Sequence, residues 1–197
     1  MFKLSTLFSR ALLALAFACG AGTAVAGPTY QVSINTSAFA GTSGFLDFSF
    51  LALGTAAPAF ATVSNFSGAL EAGSIPSGDV TGALPGVVAI GNTTAFNDLL
   101  QAVTFGGLFT FDLTFMADDA GAGSTFGVAL VNDSMTDYLG VSGNVVEIGV
   151  QPGAAASVST TAFSSVNVVP EPSDLLLMLS GLAVMGAIVR RKQGTAR

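Results

Sequence analysis

Leu108-Phe109-Thr110-Phe111-Asp112-Leu113-Thr114-Phe115 decides the fold. Phe109, Phe111, Leu113 and Phe115 fall on one face and Thr110, Asp112 and Thr114 on the other, the period-two pattern of a half-buried antiparallel strand. The same alternation appears at Tyr30 to Asn35, where Tyr30, Val32 and Ile34 share a face, and at Phe45 to Leu51, where Leu46, Phe48 and Phe50 do. Further strands are expected at Phe60 to Phe66, Val87 to Ile90, Thr125 to Val131, Val145 to Val150 and Ser157 to Val168. Short strands at this spacing predict an all-β fold, a single antiparallel, jelly-roll-like β-sandwich. Thr94 to Val103 is the one stretch that invites a helical reading, with Ala95, Leu99 and Ala102 or Val103 near helical spacing. A short helix or helical turn and a non-helical path stand level there. Gly41 to Gly44, Gly68 to Gly86 and Ala120 to Ser124 read as turns and loops, and Gly153 to Ser165 as a final strand running into a linker.

Outward from this β-rich middle, the charge is partitioned. The six basic residues are Lys3 and Arg10 at the front and Arg190, Arg191, Lys192 and Arg197 at the back. Between Gly27 and Val169 the charges are all carboxylates: Asp47, Glu71, Asp79, Asp98, Asp112, Asp118, Asp119, Asp133, Asp137 and Glu147. No side-chain ion pair can form in such a segment, so its carboxylates must be hydrated, hydrogen-bonded or cation-bound. Nucleic acid and anionic lipid are disfavoured partners, because both need positive charge to offset phosphate.

The same inventory removes most catalytic chemistry. Histidine is absent from the whole chain, and lysine and cysteine from the middle segment, since Cys19 lies in the N-terminal run. Ser-His-Asp and Cys-His nucleophiles, His-ligated metals, thiolate zinc sites, Schiff bases and a P-loop lysine are thereby excluded. A carboxylate pair of the glycosidase kind survives on paper. The chain has no Trp and only Tyr30 and Tyr138 as polar aromatics, which leaves no sugar platform, and no enzymatic activity is expected. No cofactor is expected beyond calcium. The acidic set Asp118-Asp119 with Asn132-Asp133 and Asp137 offers the oxygen ligands calcium takes, though without EF-hand spacing. If the strands before those two stretches pair as a hairpin, Asp118 lies in the connecting turn and Asp133 at the opposite end. Solvated turn residues are the default reading of both.

Both ends carry addresses rather than fold. Lys3 and Arg10 supply a basic n-region, Ala11 to Ala18 an apolar run, and Ala24-Val25-Ala26 a small-x-small cleavage site, so residues 1–26 read as a signal peptide cut after Ala26. Bulky Phe17 two places before Cys19 disfavours a lipoprotein signal. At the other end Pro170-Glu171-Pro172 precedes an apolar run, Leu175 to Val189, closed by Arg190-Arg191-Lys192. A helix of about 15 residues rises some 22 Å, short of the roughly 30 Å hydrocarbon core, which suits a transient stop-transfer segment. The basic cluster orients it with the C-terminus in the cytoplasm.

The order of tripeptide, apolar run and basic cluster at the C-terminus resembles the PEP-CTERM sorting signal of exported bacterial proteins. Thr42-Ser43-Gly44-Phe45-Leu46-Asp47-Phe48, Asn92-Thr93-Thr94-Ala95-Phe96-Asn97-Asp98 and Phe109-Thr110-Phe111-Asp112-Leu113-Thr114 resemble more loosely the β-rich ectodomains of short proteins of that family, which have no assigned activity. The resemblance implies an exosortase, an integral-membrane protease, that recognises Pro170, Glu171 and Pro172, with Leu175 to Val189 as membrane segment and Arg190, Arg191 and Lys192 as anchor. It also implies a link to exopolysaccharide and biofilm. The expected organisation is a signal peptide over 1–26, an ectodomain with linker over 27–168, and a sorting signal over 169–193 with a single apolar helix at 175–189. The expected protein is exported across the inner membrane through the secretion machinery as a membrane-anchored precursor. It ends as a non-enzymatic surface or matrix protein, with the inner membrane a transient partner and exopolysaccharide a candidate one. The alternatives are a carbohydrate- or calcium-dependent adhesive module and a permanently anchored single-pass protein.

Overall fold

The computed structural model describes residues 27–52, 56–117 and 122–169, together with 180–182 and 184 of the tail. Among the described residues twelve strands form two six-stranded antiparallel sheets. In chain order they are β1 Thr29–Asn35, β2 Ser43–Ala52, β3 Ala59–Ser67, β4 Leu70–Ser77, β5 Val80–Gly82, β6 Val88–Gly91, β7 Asp98–Thr104, β8 Leu108–Ala117, β9 Ser124–Asn132, β10 Asn144–Val150, β11 Ser157–Thr160 and β12 Ser164–Val169. A 3-10 turn, Ser37–Phe39, follows β1.

One sheet runs β12-β1-β8-β3-β6-β5 and the other β11-β10-β9-β2-β7-β4. The pairs β1/β8, β2/β7 and β3/β6 are nested, and successive pairs fall in alternate sheets, with β4 and β5 at the turn. Strands β9 to β11 widen one sheet and β12 the other.

The opening alternation is the centre of the core. Phe109, Phe111 and Leu113 of β8 are fully buried, and they face Leu46, Phe48 and Phe50 of β2 and Phe126, Val128 and Leu130 of β9. Phe48 meets Phe111 edge-on across the sheets, with ring centroids 5.5 Å apart, and Phe66 stacks on Phe111 at 6.3 Å. Contacts continue through Phe126 and Phe115 at one end and through Phe109, Phe105 and Phe39 at the other. The all-β architecture follows from these inward rows, because each sheet has one apolar face that only the other can cover.

The structure decides one stretch that the sequence left level and differs from the expectation in two others. The region Thr94 to Val103 holds no helix: Asp98–Thr104 is strand β7, with Leu99, Gln101 and Val103 buried in alternation. The glycine-rich stretch Gly68 to Gly86 holds two strands, β4 and β5, the first of them paired to β7. The tract Gly153 to Ser165 does not end as a linker: it gives β11 and then β12, which pairs with β1 as far as Val169. The first two share a cause. Gln101 is 5% exposed, and its amide donates to the carbonyls of Glu71 and Gly73 at 3.1 Å each, where β4 bulges between Leu70 and Ser74. A polar residue in a core row hides the strand period, while the glycine bulge it satisfies hides the neighbouring strand.

Gln101→Ala is expected to destabilise the fold by about 1–3 kcal/mol, since it removes the donor to both bulge carbonyls. Denaturant unfolding measures the loss, and hydrogen exchange should show it first in β4.

Candidate functional site

The expected acidic loops come out as follows. Asp118 and Asp119 lie outside the described residues. Asp133 and Asp137 sit in the turn after β9, and Asp118-Asp119 precede the other end of that strand, so its nine residues run between the two loops. The 132–137 turn is built locally. The Asn132 Oδ1 accepts from the amides of Thr136 and Asp137, and the Asp137 Oδ2 accepts from Thr136 Oγ1 at 3.0 Å. Among the described residues no group of three or more acidic, Cys or His side chains gathers as a metal site. The other expected site residues, Ala24, Ala26, Pro170, Glu171, Pro172, Arg190, Arg191 and Lys192, also lie outside the described residues.

Without a basic partner, most other carboxylates take hydroxyl and carboxamide donors. Glu71 accepts from Thr104 and Ser43, and these bonds hold it below its ordinary pKa. Asp79 accepts from Thr93, Asp112 from Asn65 and Glu147 from Asn144.

Asp47 differs in that one of its oxygens is buried without such a donor. It points outward from β2, between Leu46 and Phe48 of the core row, opposite Ala129 of β9 and Leu100 of β7. The chain after β9 folds back beside it, since Leu139 donates to the Leu130 carbonyl and Asn132 to that of Asp137, which pairs Tyr138 with Val131. A depression of about 220 Å³ results, lined by Asp47, Leu100, Val131, Met135, Thr136, Asp137 and Tyr138. The Asp47 Oδ1 is buried without a hydrogen-bond partner. Burial pushes its pKa from 3.8 to about 6, helped by the like charge of Asp98 on β7. The place offers a protonatable carboxyl, an exposed tyrosine and a methionine on an apolar floor. That arrangement can accept hydrogen bonds from hydroxyls and cover an apolar ligand face, and no Lys, Arg or His lines it.

Sequence reading named Asp47 only among the unpaired carboxylates. The signal for it was an acid set between Leu46 and Phe48 in a strand whose neighbour β9 buries Ala129 and Val131 on its outer face. That second condition is tertiary and not visible locally.

Comparison with protein-family models, with curated proteins and with solved structures found no match.

The raised pKa sets a pH dependence. The folded state holds the Asp47 proton more tightly than the unfolded chain, so this stabilising contribution is complete below pH 3.8 and is lost as pH rises through about 6. Asp47→Asn should therefore raise the stability near neutral pH. Solvent access at the mouth of the depression keeps the gain to about 1–2 kcal/mol. Thermal melts should show the difference closing as the pH falls to about 4.

Proposed function

We propose that residues 27–169 are the exported part of a non-enzymatic surface or matrix protein, delivered by its N-terminal signal and sorted by its C-terminal tail, with an exosortase as the processing enzyme. The observation that carries this reading is the coincidence of the charge boundary with the fold boundary. Strand β12 runs to Val169, directly before Pro170, while all six basic residues lie in the sequence outside residues 27–169. The sandwich needs neither a disulfide nor an ion pair, so it is indifferent to the redox state of its compartment.

The positions of the ends favour the same reading. Thr29 pairs with Val169 across β1 and β12, so the chain enters and leaves the sandwich side by side. Two membrane-directed segments emerging at one end would tether the domain by that end alone. Among the described residues no helix is long and apolar enough to cross a membrane, and most of Leu175 to Val189 falls outside them. Assignment of that run to the membrane rests on its sequence.

The intact mass of the protein recovered from cell-surface and culture fractions tests the proposal. The expected product begins at Gly27 and ends near Pro170 to Pro172. A chain that retains Leu175 to Arg197 in the membrane fraction would sink the sorting proposal and favour a permanent single-pass anchor.

A further inference from the structure

The depression at Asp47 holds a charge that the sandwich does not answer. Among the described residues the Asp47 Oδ1 is buried without a hydrogen-bond partner, and its surroundings add negative charge. From β7 the neighbouring acid is Asp98, and the turn after β9 brings Asp137 and the phenol of Tyr138. The outer face of β9 beside it offers Ala129 and Val131, neither of them titratable. No Lys, Arg or His occurs between Gly27 and Val169, so no side chain of the sandwich can supply a counter-charge. An unpaired, largely buried carboxylate is costly, and a cation from outside would relieve that cost.

The rest of the lining narrows the kind of cation. Leu100 and Val131 give an apolar floor, and Met135 and Tyr138 beside it are half-exposed. Met135 has a φ of 56°, a left-handed conformation that glycine or asparagine adopts at less cost. A methionine held there puts an adaptable, polarisable side chain at the site, and the face of a tyrosine attracts cations. A volume of about 220 Å³ falls below the range that takes drug-sized ligands and suits a group of side-chain size. A bare metal ion would leave the apolar lining uncovered, and among the described residues no group of three acidic, Cys or His side chains gathers to hold one. A neutral hydroxyl could donate to Asp47 but would leave its charge, and the repulsion from Asp98, uncompensated.

We propose that the depression binds an organic cation, a primary ammonium or guanidinium on a short apolar stem, with the charged head at the Asp47 carboxylate and the stem over Leu100, Val131 and Met135. Asp137 adds attraction at the same place, although its Oδ2 already accepts from Thr136. A free alkylamine and the basic side chain of a peptide both carry this chemistry. Binding requires the ionised carboxylate, so affinity should rise as the pH passes about 6 and level off above it. The site stands independently of the export proposal.

The test titrates the full chain, labelled at its methionine methyl groups and held in neutral detergent micelles, with n-butylammonium chloride while NMR follows the Met135 signal. n-Butanol is the uncharged control and sodium chloride the stemless one. Met116, on β8 of the other sheet, is the reference signal. At about pH 7.5 butylammonium should shift Met135 saturably and leave Met116 in place. At about pH 5 its affinity should be about ten-fold weaker, because a proton competes at a pKa of about 6. Neither control should reproduce the shift. Asp47→Asn, expected to be the more stable form near neutral pH, should lose the pH dependence and bind several-fold more weakly. N-acetyl-lysine methylamide assigns the source: binding equal to that of butylammonium points to a basic side chain of a partner peptide, and much weaker binding to a free amine. No saturable Met135 shift, equal shifts with butanol or sodium chloride, or unchanged binding by Asp47→Asn would overturn the proposal.

Discussion

The edge-on contact of Phe48 with Phe111 joins the two sheets at the middle of the sandwich, and the rest of the structure depends on the aromatic packing that radiates from it. The segment from Gly27 to Val169 has no cysteine, no histidine and no basic side chain. Neither a disulfide, nor a metal held by thiolate or imidazole, nor a side-chain ion pair can share the work. Large rings suit the task, since each buries 150–250 Å² and an aromatic pair adds about 0.5–1.5 kcal/mol beyond its area. The inward rows of β2, β8 and β9 supply most of them, and these strands occupy inner positions in their sheets.

A fold with charges of one sign must manage its polar groups by hydrogen bonding. Buried carboxamides do this inside. Asn97 receives the amide of Asp79 and donates to the carbonyls of Phe50 and Thr94, while Asn92 ties the Ala57 carbonyl to Ser124 and receives the amide of Ala59. Threonine, serine and asparagine do it outside, where a salt-bridged protein would use lysine and arginine. Asp47 escapes this provision, and its raised pKa is the consequence.

Strands whose two faces differ in polarity were legible in the sequence: β1, β2, β8 and the first part of β3 follow the alternation that Phe109, Phe111 and Leu113 display. The hidden strands lacked that contrast. Strand β7 carries Gln101 in a core row, and nearly all of β4 is exposed and interrupted by a bulge, so neither has a local reason to be extended. Their pairing with each other supplies it. Strand β9 was visible, but not the covering of its outer face by the chain around Tyr138, which is why the Asp47 depression went unnoticed. Strands β8 and β9, adjacent in sequence, belong to different sheets, and the hairpin imagined for them does not exist. The boundary at Val169 came from register with β1, where composition had suggested a linker.

The account's central claim is that apolar packing and hydrogen bonds, without disulfides or ion pairs, hold this sandwich together against the mutual repulsion of its carboxylates. The direct measurement is the melting temperature at neutral pH as sodium chloride is raised from low to high concentration. Screening weakens like-charge repulsion and residues 27–169 have no side-chain ion pairs for it to weaken, so the melting temperature should rise, steeply at first and then more slowly. A fall in melting temperature over the same range would contradict the account, because it would reveal stabilising attraction between charges that the fold is argued not to contain.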